Sequence, residues 1–305
     1  MATATLHPTP AHQPAQTLST TSTCASTSSK ATSHIPHGPV TATLTFYSPP
    51  PDGSSPYNYV ETPPPGLPQR NYTSDDQQVL INDIRAHEDA FTLDAHSFAA
   101  LKNTPSTLHD EDFDDEDKIK QIYFPEIERL LLARLPGAKR VLLFDHTIRR
   151  ATGGAKRAPV TRVHIDQTPA SARERVRLHC PEEAEQLLED RVRIVNVWRP
   201  INGPVESFPL AFADGSSVRD EELVGIEHRY PNRTGETAGV RFSNEQRWWY
   251  WSAMEDDEVV LLKCFDGDED VGPVGRVPHS AFVDPRTGEG ARGRESIEVR
   301  ALVFG

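Results

Sequence analysis

Residues 159–166 read Pro-Val-Thr-Arg-Val-His-Ile-Asp, and the β-branched residues between turn-forming neighbours predict a strand. His164 and Asp166 are two apart on it, so their side chains project from one face while Val163 and Ile165 project from the other. One face is then polar and the other packed. An imidazole and a carboxylate side by side on the inner face of an apolar strand must both be satisfied, and a metal ion does this directly. The competing reading is a surface hydrogen-bonded pair, since twelve histidines in an acidic chain produce such pairs by chance.

Further strands follow the same rhythm of short apolar runs between turn residues: 141–147, 191–198, 208–214, 248–251, 258–265, 278–283 and 296–304. With 159–166 they make eight, which suggests a mainly β fold with flanking helices, a double-stranded β-helix or jelly roll of the cupin-like kind. The core is expected over about 140–305, interrupted by a helix-like PEEAEQLLEDR at 181–191 and a turn-rich stretch between Asp214 and Gly239. Upstream, Val40–Tyr47 reads as another strand, and the Pro-rich stretch 48–68 as an extended surface arm, either a linker or a closure of the substrate pocket. From Gln77 to Leu135 the pattern turns helical, with Leu80, Ile81 and Ile84 on one face and Ile127, Leu130, Leu131 and Leu135 on another. The acidic run 110–117 lacks the spacing of a calcium loop and reads as a solvated helix start. Residues 1–38 are Ser, Thr, Ala, Pro and His with little to bury, so a disordered tail is expected before a single catalytic domain at 39–305.

Composition narrows the function classes. The net charge of −13 argues against nucleic acid or anionic membrane as partners. Three cysteines without a CxxC spacing indicate neither a disulfide framework nor a thiolate zinc site, and suit a reducing, cytoplasmic setting. No apolar run is long enough to span a bilayer. A small-molecule substrate is the natural partner, and the sequence leaves the oligomeric state open.

Two ligands need a third. His279, just after a proline in the penultimate predicted strand, is placed where an antiparallel jelly roll can return it to His164 and Asp166. Two imidazoles and one carboxylate on one face of a metal leave three positions open, the arrangement with which iron(II) oxygenases hold a bidentate co-substrate and O2. Arg294 and Ser296, at the entry to the last strand, could clamp a distal carboxylate; the alternative is an ion pair of Arg294 with Glu295 or Glu298. Lys263 and Arg300 are reserve candidates for that clamp. His146 is the rival ligand, its other reading a buried histidine bonded to Asp145 or backbone. Asn196 and Arg199 are possible pocket residues on opposite faces of one strand, with Trp198 beside them more a core residue. In the cluster 248–251, alternation sends some rings to the core and others, Trp249 among them, toward a cavity; His179 and His228 read as surface residues.

Together the strings FDHTIRR (144–150), VHIDQT (163–168), NVWRPINGPV (196–205), PLAFAD (209–214), DEVVLLKCFD (257–266), PHSAFVDP (278–285) and RESIEVRALVF (294–304) resemble the fungal hydroxylase/desaturase family. The resemblance spans roughly residues 40–305. It implies a double-stranded β-helix, iron(II), 2-oxoglutarate and O2, and hydroxylation or desaturation of a small secondary metabolite. Carried over residue by residue, it implies metal ligands at His164, Asp166 and His279 and a co-substrate clamp at Arg294 and Ser296. The departure is in spacing: Asp166 and His279 are 113 positions apart (279 − 166), and an extra Gly/Arg loop separates His279 from Arg294. Two other readings of the same residues are a zinc hydrolase or isomerase, needing no keto acid, and a non-catalytic β-sandwich binding protein whose histidines are structural.

Overall fold

A computed structural model describes residues 35–151 and 157–305. Fourteen strands occur among them: β1 (Val40–Ser48), β2 (Tyr57–Tyr59), β3 (Thr73–Asp83), β4 (Phe98–Leu101), β5 (Arg140–Arg150), β6 (His164–Ile165), β7 (Val192–Pro200), β8 (Leu210–Ala213), β9 (Leu223–Arg229), β10 (Thr234–Val240), β11 (Trp248–Tyr250), β12 (Val259–Asp266), β13 (His279–Ala281) and β14 (Glu295–Phe304). Nine form one sheet in the order β1-β3-β11-β8-β13-β6-β10-β9-β2, and five form a second in the order β4-β12-β7-β14-β5. The two sheets close on each other as a jelly roll, with β6 and β13 facing β7 and β14 across the interior. The tail expected at 1–38 falls, as far as residue 34, outside the described residues.

Alternation explains the strands and corrects one expectation. Along β1, Val40, Ala42, Leu44 and Phe46 are buried while Thr41 and Thr43 are exposed. On β3, Val79 and Ile81 are buried but Leu80 between them is 57 % exposed. The helix expected to begin at Gln77 is therefore a strand there. Three apolar residues at 80, 81 and 84 satisfy helical spacing, but β1 pairs with β3 along nine residues and its ladder decides the matter. Helical structure starts later, and its main element, Phe124–Arg134, buries Ile127 and Leu131 one turn apart. Those side chains pack with Tyr123 on the outer face of the five-stranded sheet, against Val195, Val197, Val299 and Val303. Each such burial stabilises by roughly 1.5–3 kcal/mol. The acidic run lies at the approach to this helical region, where Asp115 accepts from the amides of Asp117 and Lys118.

The inner faces of both sheets share the central core. Ile194, Cys264 and Leu302 of the smaller sheet meet Phe46, Ile165 and Trp248 of the larger. Trp248 and Tyr250 point into this core, and Trp249 points the other way. The strand expected over 159–166 is ordered as a ladder only at His164 and Ile165, with one further bridge from Arg162 to Thr45. The Pro-rich arm contributes β2, which runs parallel to β9 and extends the large sheet.

Candidate metal centre

β6 is bracketed by β10 and β13, and this bracket sets the two imidazoles. His279 on β13 is paired directly with His164 on β6. Their ring centroids are 4.5 Å apart. Gly239 is the β10 partner of His164, and a Cβ there would lie 2.6 Å from Ile226 Cδ1 and 3.2 Å from the Tyr47 side chain, so the glycine leaves room for these two side chains beside β10. Each imidazole is tied through Nδ1 to a carbonyl two residues earlier: His164 to Arg162 at 2.8 Å and His279 to Val277 at 3.1 Å. Both Nε2 atoms then turn toward Asp166, whose Oδ1 is 3.4 Å from that of His164 and 4.0 Å from that of His279. One ligand atom from each of the three residues lies within 4.8 Å of the others. That spread suits a single cation between them.

The second oxygen of Asp166 is held from the opposite sheet. Asn196 Nδ2 donates to Oδ2 at 2.8 Å and Arg300 Nε at 2.7 Å, so Oδ1 is the oxygen left for a metal. Burial alone would raise the Asp166 carboxyl, but the Arg300 guanidinium and the two imidazoles outweigh it and hold the carboxyl well below its usual range. Burial, reinforced by His164, pushes His279 downward. An anionic carboxylate beside a neutral imidazole is the protonation state a cation requires.

Beside the triad, Ser296, Glu298 and Arg300 occupy alternate positions of β14, and Arg294, immediately before the strand, continues the same alternation. Arg294 is 2 % exposed, lies over the Trp198 ring at 5.2 Å, and lines a small cavity with His164 and His279. Its Nε is buried with no hydrogen-bond partner, and burial together with Arg149 pushes the guanidinium down to about 9. The ion pair weighed for Arg294 forms elsewhere: Glu295 binds Arg150 and Glu298 binds Arg300.

The family model described as Oxidoreductase/YMDC permease-like domain matches residues 44–304. The hydroxylase/desaturase poxK of Penicillium oxalicum is 31 % identical over 302 residues, covering 88 % of this chain and 92 % of its own. The Fe(II)/2-oxoglutarate-dependent dioxygenase nvfI of Aspergillus novofumigatus is 35 % identical over 253 residues, 81 % of this chain and 90 % of its own. A solved structure of the iron and alpha-ketoglutarate-dependent endoperoxidase NvfI superposes with a TM-score of 0.80 at 32 % identity, covering 88 % of this chain and 98 % of that one.

The chain belongs to the fungal hydroxylase/desaturase family of iron(II)/2-oxoglutarate-dependent oxygenases.

As a member of that family, the chain is an enzyme that uses iron(II), 2-oxoglutarate and O2. This replaces the zinc hydrolase and the non-catalytic sandwich. Its residues fit the group: two Nε2 atoms and one carboxylate oxygen converge, and beside them stands the buried guanidinium of Arg294, which donates through Nη1 to the Phe208 carbonyl and keeps an unpartnered Nε. No helix among the described residues is long and apolar enough to cross a membrane.

Several other candidates lie away from the centre of this hydroxylase/desaturase. His146 points from β5 into the helical layer, against Phe124 and 3.3 Å from Glu116, because strand alternation turns it away from Thr147 and Arg149. Arg199 is on the same outer side, over the Tyr123 ring and bonded to the Thr104 carbonyl. Trp249 packs edge-on to Phe91. Lys263 is 1 % exposed on the outer side of β12, paired with Asp266 at 2.9 Å. Arg300, held in reserve as a carboxylate clamp, instead holds Asp166. His228, read as a surface residue, is half-buried, accepts or donates to Thr237 at 3.0 Å and lines the cavity over the triad. Arg149, Arg162 and Arg175, passed over in the sequence, line that cavity too. Alternation from Thr147 marks Arg149 as inward-facing; the other two carry no local signal.

Proposed function

We propose that this oxygenase holds iron(II) with His164, Asp166 and His279, holds the far carboxylate of 2-oxoglutarate with Arg294 and Ser296, and hydroxylates or desaturates a small secondary metabolite. The observation that carries the reading is the direct pairing of His279 with His164, with Asp166 Oδ1 between their Nε2 atoms. Iron(II) and 2-oxoglutarate supply the oxidising power to break an unactivated C–H bond, with O2 consumed and the keto acid decarboxylated to succinate. The protein's own part is positional. Asn196 and Arg300 fix which oxygen Asp166 presents, and the carbonyls of Arg162 and Val277 fix the tautomers of the two histidines. Arg294, desolvated and stacked on Trp198, is suited to a bidentate carboxylate. Ser296 shares its face of β14. The same proposal takes about 39–305 as one oxygenase domain working in the cytoplasm, where the buried thiols of Cys180 and Cys264 stay unpaired.

The test is an anaerobic titration with iron(II) and 2-oxoglutarate, monitoring the weak visible charge-transfer band of the chelate. The wild type develops the band and His279→Ala loses it. Absence of the band in the wild type refutes the co-substrate assignment, and its persistence at full strength in the variant refutes the third ligand.

A further inference from the structure

Above the triad lies a cavity of about 800 Å³ that has His164 and Asp166 at its base. Six arginines reach it, Arg70, Arg149, Arg157, Arg162, Arg175 and Arg300, against three aspartates, Asp76, Asp145 and Asp166. Six minus three leaves an excess of three positive charges in a chain whose net charge is −13. This asymmetry is local to the cavity.

Arg300 is fully engaged by Asp166, Asp145 and Glu298. The other five have no carboxylate within ion-pair distance among the described residues. Arg149 donates to the Ala158 carbonyl at 3.1 Å, Arg157 to Thr147 at 3.2 Å, and Arg162 to Thr73 and Ser74 at 3.3 and 2.8 Å. Arg70 and Arg162 flank the Tyr72 ring, and Arg175 lies over Phe144 at 5.7 Å. The undescribed stretches 1–34 and 152–156 contain no Asp or Glu, so no side chain there can supply the missing anion. Arg149, Arg162 and Arg175 are half-buried, where an unmatched cation is costly. A guest of opposite charge removes that cost. Iron(II) and 2-oxoglutarate do not, because their charges of plus two and minus two cancel. Tyr72, Tyr230, Ile226 and Val160 supply apolar wall between the guanidiniums.

We propose that the substrate is an organic acid, an apolar body carrying at least one carboxylate, which Arg149, Arg162 and Arg175 hold over the iron centre. This rests on the iron-site reading above. The carboxylates orient the molecule, and the cavity's positive field draws it in from solution.

The experiment uses the full chain loaded anaerobically with iron(II) and saturating 2-oxoglutarate, and calorimetric titration with trimesate, a benzene tricarboxylate, and with its neutral analogue trimesamide. Trimesate is expected to bind at least about tenfold tighter than trimesamide, with an advantage that shrinks as salt is raised. Arg175→Gln and Arg162→Gln should each weaken trimesate several-fold, while Arg219→Gln, on the surface away from the cavity, should not. Equal binding of the two probes, no trimesate binding at millimolar concentration, or binding insensitive to both cavity variants overturns the proposal. So does a trimesate that bleaches the charge-transfer band, because it would then be displacing the co-substrate. The band formed before any probe is added reports the iron-site reading by itself, so failure of that reading and failure of this one are separate results.

Discussion

Asn196 on β7 and Arg300 on β14 stand opposite each other in register, and both donate to the same oxygen of Asp166, from 2.8 and 2.7 Å. A carboxylate fixed on one oxygen by two donors from the opposite sheet cannot swing, so its other oxygen is presented in one direction. The sheet that carries the triad and the sheet that orients Asp166 therefore meet at this side chain.

Removing those donors should loosen the metal without removing a ligand. Arg300→Leu is expected to weaken iron(II) affinity by about 10–100-fold, and Asn196→Ala by less, since a neutral amide contributes less than a guanidinium. Anaerobic metal titration measures this, with circular dichroism confirming the fold. Unchanged affinity in both variants would mean that Asp166 is oriented by β6 alone.

Arg294 should govern the co-substrate and not the metal. Arg294→Lys keeps a charge but loses the planar fork, and should raise the KM for 2-oxoglutarate about tenfold or more. Ser296→Ala should give a smaller rise. Succinate formation against 2-oxoglutarate concentration reads both effects, and a wild-type KM in the lysine variant would reassign the clamp.

His146 and Arg199 should matter for stability only. Arg199→Ala loses a bond to the Thr104 carbonyl and a guanidinium over the Tyr123 ring, and should cost about 1–3 kcal/mol. His146→Gln should leave iron binding as it is in the wild type. Denaturant unfolding together with metal titration separates the two properties, and a loss of metal affinity in His146→Gln would restore it as a ligand.

Asp266 sets an acid-side limit on stability. Burial alone would raise its carboxyl, but hydrogen bonds from Arg191 and Lys263 outweigh that and lower it. With the folded value below the unfolded one of about 4, its contribution is complete above about pH 4 and fades as pH falls through the folded value. The stability difference between wild type and Asp266→Asn should therefore be largest at neutral pH and shrink below about pH 4. A difference that stays constant from neutral to acid pH would show that the carboxylate is not charged in the fold. Lys263→Met should also destabilise, by roughly 2–4 kcal/mol, because Asp266 would keep only Arg191 as its cationic partner.

The local sequence was sufficient wherever one strand's own alternation carried the information. The period of two along 163–166 sets His164 and Asp166 on one face and Val163 and Ile165 on the other, whatever the rest of the chain does. The same holds for the inward set on β14 and for the opposite facing of Asn196 and Arg199. Tertiary structure decided the rest, because those outcomes depend on contacts between residues far apart in sequence. Leu80, Ile81 and Ile84 satisfy two periodicities, and only the ladder with β1 selects the strand. An arginine's spacing does not say which carboxylate it will meet: Arg300 reaches Asp166 across 134 positions, whereas Arg149, Arg162 and Arg175 form no ion pair among the described residues. Side-chain direction follows from the local pitch of the backbone, but charge pairing is settled by which faces the two sheets bring together.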